Sequence, residues 1–258
     1  MAYALVGTPA APTTGSVGGG VTPTWGTGLN RTAGNLLVAV YSQTGSTIQP
    51  SGPSGWTQVA SAGASNAFCT IYSKIATGGD AAPAFSAVAS ATPTAQLYEF
   101  SGNAASPTDQ SGANNGSSSP ITATNSGTDA TVGELLVMAG ADLRSVARAT
   151  NDTWTSNSGT PTLGGSNNGV SSTNHYSFGY ILSTTQNAAA DTAVMTLSIT
   201  TSITQLAVCA VSFKKAGTVN TQSVAGALSF AGSKNNFTNR VATAVLSFTG
   251  ILLSLIHI

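Results

Sequence analysis

The apolar positions of this chain fall in short runs of strand length, and the runs recur. Leu36-Leu37-Val38-Ala39-Val40-Tyr41 is apolar throughout and predicts a central strand. Ala193-Val194-Met195-Thr196-Leu197-Ser198-Ile199-Thr200 alternates instead, which predicts a half-exposed strand with Met195, Leu197 and Ile199 on one face. Residues 68–75, 94–100, 135–140, 175–182 and 206–213 add further strands. Turn clusters such as Thr77-Gly78-Gly79-Asp80 and Gly164-Gly165-Ser166-Asn167-Asn168-Gly169 part them. Many short strands with turns this frequent predict a sandwich or jelly roll.

The pattern is written twice. Gly34-Asn35-Leu36-Leu37-Val38-Ala39 returns as Gly133-Glu134-Leu135-Leu136-Val137-Met138, and each copy runs on to a tryptophan, Trp56 or Trp154, and then to a strand ending in Phe100 or Phe213. Leu36 and Leu135 are 99 residues apart, Trp56 and Trp154 are 98, and Phe100 and Phe213 are 113. The extra length therefore lies after Trp154, where residues 156–173 read as a Gly/Ser/Asn loop. Residues 9–35, rich in Gly, Pro and Thr around Trp25, read as an irregular entry segment on the sheet edge. Residues 101–131 are almost wholly Gly, Ser, Asn, Thr and Ala and join the halves. Each half alone offers about four strands and leaves one sheet face uncovered, so one sandwich built from both is expected.

The expected fold is an all-β, jelly-roll-like antiparallel β-sandwich over residues 1–217, with halves at about 30–102 and 132–217, and a short C-terminal repeat segment at 218–252. In that segment Val224-Ala225-Gly226-Ala227-Leu228-Ser229-Phe230-Ala231-Gly232 is answered by Ala244-Val245-Leu246-Ser247-Phe248-Thr249-Gly250. A unit this short cannot bury a core of its own and must stack on neighbours or on other chains, which makes it an oligomerisation candidate. Residues 241–258 have the length of a marginal membrane helix. The terminal Leu253-Ser254-Leu255-Ile256-His257-Ile258 reads instead as translated sequencing adapter, so 253–258 is taken as an artefact and no membrane insertion is expected.

Composition narrows the class. Of 258 residues only 6% are charged, with 8 Lys+Arg against 8 Asp+Glu, where an ordinary soluble domain has roughly 25%. So few charges cannot solvate helix faces, and without a basic cluster nucleic acid is not an expected partner. Solubility rests on Ser, Thr, Asn and Gly. Residues 1–8 do not read as a signal peptide and none is expected, which with an outward-facing composition suggests a particle assembled in the cytoplasm and acting outside the cell. Cys69 and Cys209 each lie in an apolar stretch and read either as core thiols or as a disulfide joining the halves.

Chemistry is sparse. His257 falls in the artefact, leaving His175 to serve any triad, and its place at the start of a strand suits an edge histidine. Asp80, Asp109, Asp129, Glu134, Asp142, Asp152 and Asp191 are scattered, none in calcium-loop spacing, although sandwich loops can gather ligands distant in sequence. No catalytic, cofactor-binding or metal residues are assigned, and the chain is not read as an enzyme. Trp56 and Trp154 offer faces for sugar stacking, but their equivalent placement favours a shared core role. Candidate ligand contacts are His175 and Tyr176, flanking the loop by which the copies differ most.

Gly-Asn-Leu-Leu-Val (34–38), Pro-Ser-Gly-Trp (53–56), Ile-Tyr-Ser-Lys-Ile-Ala (71–76), Tyr-Glu-Phe-Ser-Gly (98–102), Gly-Glu-Leu-Leu-Val (133–137) and Ala-Val-Ser-Phe-Lys (210–214), in that order, resemble a β-sandwich domain of tailed-phage structural and tail-fibre proteins and of some bacterial surface proteins. The Leu-Ser-Phe-x-Gly units are similar to tandem repeats that follow such domains. The resemblance implies a virion protein of the tail or tail fibre that contacts the host surface and its glycans. The stacking repeat makes a homo-oligomer, taken as a trimer, the expected partner state, alongside other virion proteins. The alternative from a different class is a carbohydrate-binding or carbohydrate-active module of a bacterial extracellular protein.

Overall fold

The computed structural model describes residues 2–129, 131–144, 152–166, 174–185, 189–197, 203–217, 247–248 and 251–252. Residues 1–218 form one compact unit and 219–258 a second. Most of the Leu-Ser-Phe-x-Gly segment, the terminal 253–258 with His257, loop residues 167–173 and Ile199 lie outside the described residues. Among the described residues no helix is long and apolar enough to cross a membrane.

The first sheet comprises β1 (Ala4–Leu5), β2 (Thr13–Thr14), β3 (Leu36–Thr44), β4 (Thr57–Ala64), β5 (Ala67–Ile75) and β6 (Thr92–Ser101). Its order is β1-β6-β3-β5-β4, with β2 also on β6, and all pairs are antiparallel. The apolar run at 36–41 is the centre of this sheet: every residue of β3 is buried. The remaining strands are β7 (Asn103–Gly116), β8 (Ile121–Thr128), β9 (Leu135–Arg144), β10 (Thr153–Thr155), β11 (Thr162–Ser166), β12 (Asn174–Ile181), β13 (Ala190–Thr196) and β14 (Ile203–Lys215). They form a second sheet, β11-β12-β9-β14-β7, and a third, β10-β13-β8.

The duplication is a duplication of topology. The path β6-β3-β5-β4 in the first sheet is repeated as β14-β9-β12-β11 in the second. The registers agree, for Leu36 stands opposite Phe100 and Leu135 opposite Phe213. The two sheets press their equivalent faces together. Leu36, Val38, Val40, Ile71, Tyr98 and Phe100 from the first meet Leu135, Val137, Phe178, Cys209, Val211 and Phe213 from the second in one buried core. Tyr180 packs edge-on to both Tyr98 and Phe100 with centroids 5.7 Å apart, worth about 0.5–1.5 kcal/mol per pair beyond area burial. The all-β sandwich expected from the sequence is the fold, built from both halves at once.

Each sheet has a second apolar face, and the two are covered differently. The outer face of the second sheet carries Leu136, Met138, Ile181, Leu206 and Val208, capped by Ile121, Ala123, Trp154, Met195 and Leu197 of the third-sheet layer. The alternation seen at 193–197 is this packing, with Ala193, Met195 and Leu197 buried. The outer face of the first sheet carries Ala39, Tyr41, Tyr72 and Leu97, covered by Val21, Phe85, Trp25 and Trp56 from irregular segments. The entry segment thus lies over this face as well as along the β6 edge.

Two expectations are corrected. Residues 101–131, expected as a joining segment, supply β7 and β8, because backbone pairing to β14 and β13 needs no apolar pattern. Part of the loop expected at 156–173 is β11, paired with β12. In the second unit, β15 (Ser247–Phe248) and β16 (Ile251–Leu252) pair as a short antiparallel ladder.

Candidate functional site

The motif Gly-Asn-Leu and its copy Gly-Glu-Leu build the same corner twice. Gly34 and Gly133 have φ of 90° and 88°, a left-handed conformation that favours glycine and turns the chain into β3 or β9. Gly34 N donates to Ala76 O and Ala76 N to Asn35 O, at 2.9 and 2.8 Å. Gly133 N donates to Thr184 O and Thr184 N to Glu134 O, at 2.8 and 2.9 Å. Asn35 and Glu134 are therefore equivalent positions. By strand register Glu99 in the first copy matches Ser212 in the second.

In the first copy the buried acid is self-contained. The Glu99 carboxylate, fully buried, accepts from Arg31 N and Thr32 N at 2.8 Å and from Asn35 Nδ2 at 2.7 Å. Three donors on one carboxylate compensate its loss of water.

In the second copy the corner gathers carboxylates instead. Glu134 enters at the Asn35 position, Asp109 comes from β7, Asp129 follows β8, and Asp191 sits at the irregularity in β13. One oxygen from each of Asp109, Asp129 and Glu134 lies within 4.8 Å of the others. Asp129, Glu134 and Asp191 are at most 4% exposed, while Asp109 is half-buried. Donors reach only part of this group. Thr131 N donates to Glu134 Oε1 at 3.0 Å and Thr184 Oγ1 to Asp129 Oδ2 at 2.9 Å, and the Ser158 hydroxyl donates to Asp191 Oδ1. Glu134 Oε2, Asp129 Oδ1 and Asp191 Oδ2 are buried and accept from no N–H or hydroxyl, while Glu134 lies in hydrogen-bonding contact with the Asp109 carboxyl and Asp191 with that of Asp129, contacts that need a shared proton. Lys214 Nζ is 3.9 Å from Asp109, and Lys215 Nζ donates to Val132 O at 2.5 Å.

The electrostatic consequence is a shift toward protonation. Burial first, with Asp109 and Asp129 adding repulsion against the opposing Thr131 hydrogen bond, pushes the Glu134 carboxyl up to about 8. Burial likewise pushes Asp191 up to about 7, with Asp129 and Asp109 adding to it and the Ser158 donor opposing. The cluster has more negative charge than its neighbours neutralise. Its donor set is wholly hard oxygen, suited to protons or to a hard cation.

The sequence reading scattered these acids and assigned none of them. Positions 109, 129, 134 and 191 belong to four elements, and only the fold joins them. One signal was present: a glutamate stands at the place where the first copy has Asn35.

The predicted contacts, His175 and Tyr176, lie at the start of β12, apart from this cluster. His175 on β12 is 1% exposed, opposite Asp142 of β9, which is also 1% exposed. Its ring is interior. Tyr176 is half-buried, packs against the inner core and stacks on Phe178 with centroids 5.2 Å apart. Trp56 and Trp154 each pack over the outer face of one of the two duplicated sheets, Trp56 half-buried on the first and Trp154, from the third sheet, buried on the second, where its Nε1 donates to Ser177 Oγ at 2.8 Å. Cys69 and Cys209 are free, buried thiols whose sulfurs meet at 3.4 Å across the inner core. A shallow groove of about 320 Å³ runs between Gln58–Ser61 of β4 and Ser111–Ala113 of β7.

No known protein family matches the chain, and neither a curated protein nor a solved structure matches it.

Proposed function

We propose that this chain is a non-enzymatic structural protein of a phage virion, a tail or tail-fibre component that contacts the host surface. The observation that carries the reading is how the apolar surface is used. Two copies of one sheet consume their inner faces on each other, and a third sheet and irregular segments consume the outer faces. Among the described residues much of what faces water is hydroxyl and amide, as along β7, where Ser106, Thr108, Asn114 and Asn115 are exposed. Such a surface resists aggregation without high charge and offers the hydrogen-bonding groups that sugars engage. The repeat segment that follows supplies the assembly stalk in this account.

Light scattering on chains ending at Gly250 and at Ala216 tests the stalk: the account expects a trimer from the longer and a monomer from the shorter. Labelled chain added to intact bacterial cells tests host contact, and saturable binding abolished by periodate oxidation of the cells is the expected result. Monomers from both chains, with binding on a glycan array, would favour the extracellular carbohydrate-binding module instead. No saturable binding to any cell or glycan would remove host contact from the account.

A further inference from the structure

We propose that Asp109, Asp129 and Glu134, with Asp191 beside Asp129, bind one divalent cation, calcium by the chemistry of the donor set. The inference stands apart from the virion reading and rests on three features of the corner between the second and third sheets.

The first is geometry. Oxygens of Asp109, Asp129 and Glu134 span no more than 4.8 Å. Two ligands of one calcium ion, each at 2.3–2.6 Å, lie up to about 5 Å apart, so three oxygens gathered this closely come within reach of a single calcium ion after small shifts. Four carboxylates from four elements also suit its tolerance for six to eight irregular oxygen ligands, and the group contains no nitrogen or sulfur donor of the kind zinc prefers.

The second is unmet valence. Asp129 Oδ1, Glu134 Oε2 and Asp191 Oδ2 are buried without a donor, in side chains 4%, 0% and 0% exposed. Buried carboxyl oxygens without donors cost free energy unless a proton or a cation lies among them.

The third is the comparison internal to the chain. At the equivalent corner the first copy places one carboxylate, Glu99, and meets it with three donors. The second copy puts Glu134 where Asn35 would have been a donor and adds three aspartates. That exchange replaces a closed hydrogen-bond set with a cation-binding one. The bound ion would tie β7 of the second sheet to the ends of β8 and β13 in the third.

The test uses the full chain, stripped with EDTA and dialysed near neutral pH. Equilibrium dialysis with radioactive calcium should show one ion per chain. Saturating calcium chloride should raise the thermal unfolding midpoint by about 5–10 °C, as expected for a ligand at about a hundred times its Kd on a domain of this size. Magnesium chloride at the same concentration should do much less. The double variant Asp129→Asn, Glu134→Gln should lose both bound calcium and the shift, while Asp80→Asn, outside the cluster, keeps them. The milder Asp109→Asn, on an edge strand, covers the case in which the double variant fails to fold, and it should weaken binding at least tenfold. No calcium bound to the unsubstituted chain would overturn the proposal and leave a cluster that only shares protons. Binding that persists unchanged in the folded variants would overturn it equally.

Discussion

Asn35 and Glu134 occupy one position in two copies of the same corner, each after a left-handed glycine and each accepting a backbone hydrogen bond through its carbonyl, from Ala76 N and Thr184 N. The side chains do opposite things. Asn35 donates to the buried Glu99, while Glu134 adds its own carboxylate to Asp109 and Asp129. Duplication fixed the backbone of the corner, and divergence of this side chain set its chemistry.

Glu99 is then a structural acid whose loss should be costly. Glu99→Ala orphans Arg31 N, Thr32 N and Asn35 Nδ2, and should destabilise the chain by about 3 kcal/mol in urea unfolding. Asn35→Asp sets a second carboxylate at the same 2.7 Å contact and should also destabilise. An Asn35→Asp chain as stable as the parent would show that the corner is not closed by this bond.

How much of this was legible follows from what each element asks of its sequence. β3 is buried on both faces and had to be apolar throughout, and β13 is buried on one face and had to alternate, so both were readable. β7 was not. It is a half-exposed edge strand whose ladder to β14 uses backbone groups, and Gly112 within it serves close approach, since a Cβ there would meet Thr124 O at 2.1 Å. A glycine in a Ser/Asn-rich stretch reads as linker until the neighbouring strand is seen. β8 of the third sheet escaped for the same reason, and the acid cluster escaped because its members share a place and no sequence spacing. His175 was misread as exposed because a polar loop precedes it, while its partner strand β9 buries it.

The thiols make a separate prediction. Cys69 and Cys209 are fully buried, and burial together with the Cys69 thiol pushes Cys209 well above its ordinary range. In reduced, folded chain neither should react with Ellman's reagent within minutes, and both should react on addition of denaturant. Immediate reaction in the folded chain would contradict a shared inner core at this point.

Asp80 gives the pH dependence. Burial alone would raise its carboxyl, but the Lys74 ammonium at 2.5 Å and the Thr77 amide and hydroxyl at 2.7 and 2.9 Å hold it down at about 2, below the ordinary 3.8. A carboxyl held down on folding stabilises above its unfolded value, and that contribution is lost as pH falls through 3.8 toward 2. Acid titration of stability should therefore show a decline across this window that Asp80→Asn lacks. An identical decline in the variant would assign the window to other groups.

The central claim is that the two copies fold as one body on a common inner core rather than as two domains. Equilibrium unfolding in urea of the chain ending at Gly217, followed in parallel by tryptophan fluorescence and far-ultraviolet circular dichroism, tests it most directly. One cooperative transition with coincident midpoints is predicted, because Leu36 and Leu135, Phe100 and Phe213 are buried by each other's sheets. Two separated transitions, or cooperative unfolding of residues 1–102 made alone, would contradict it.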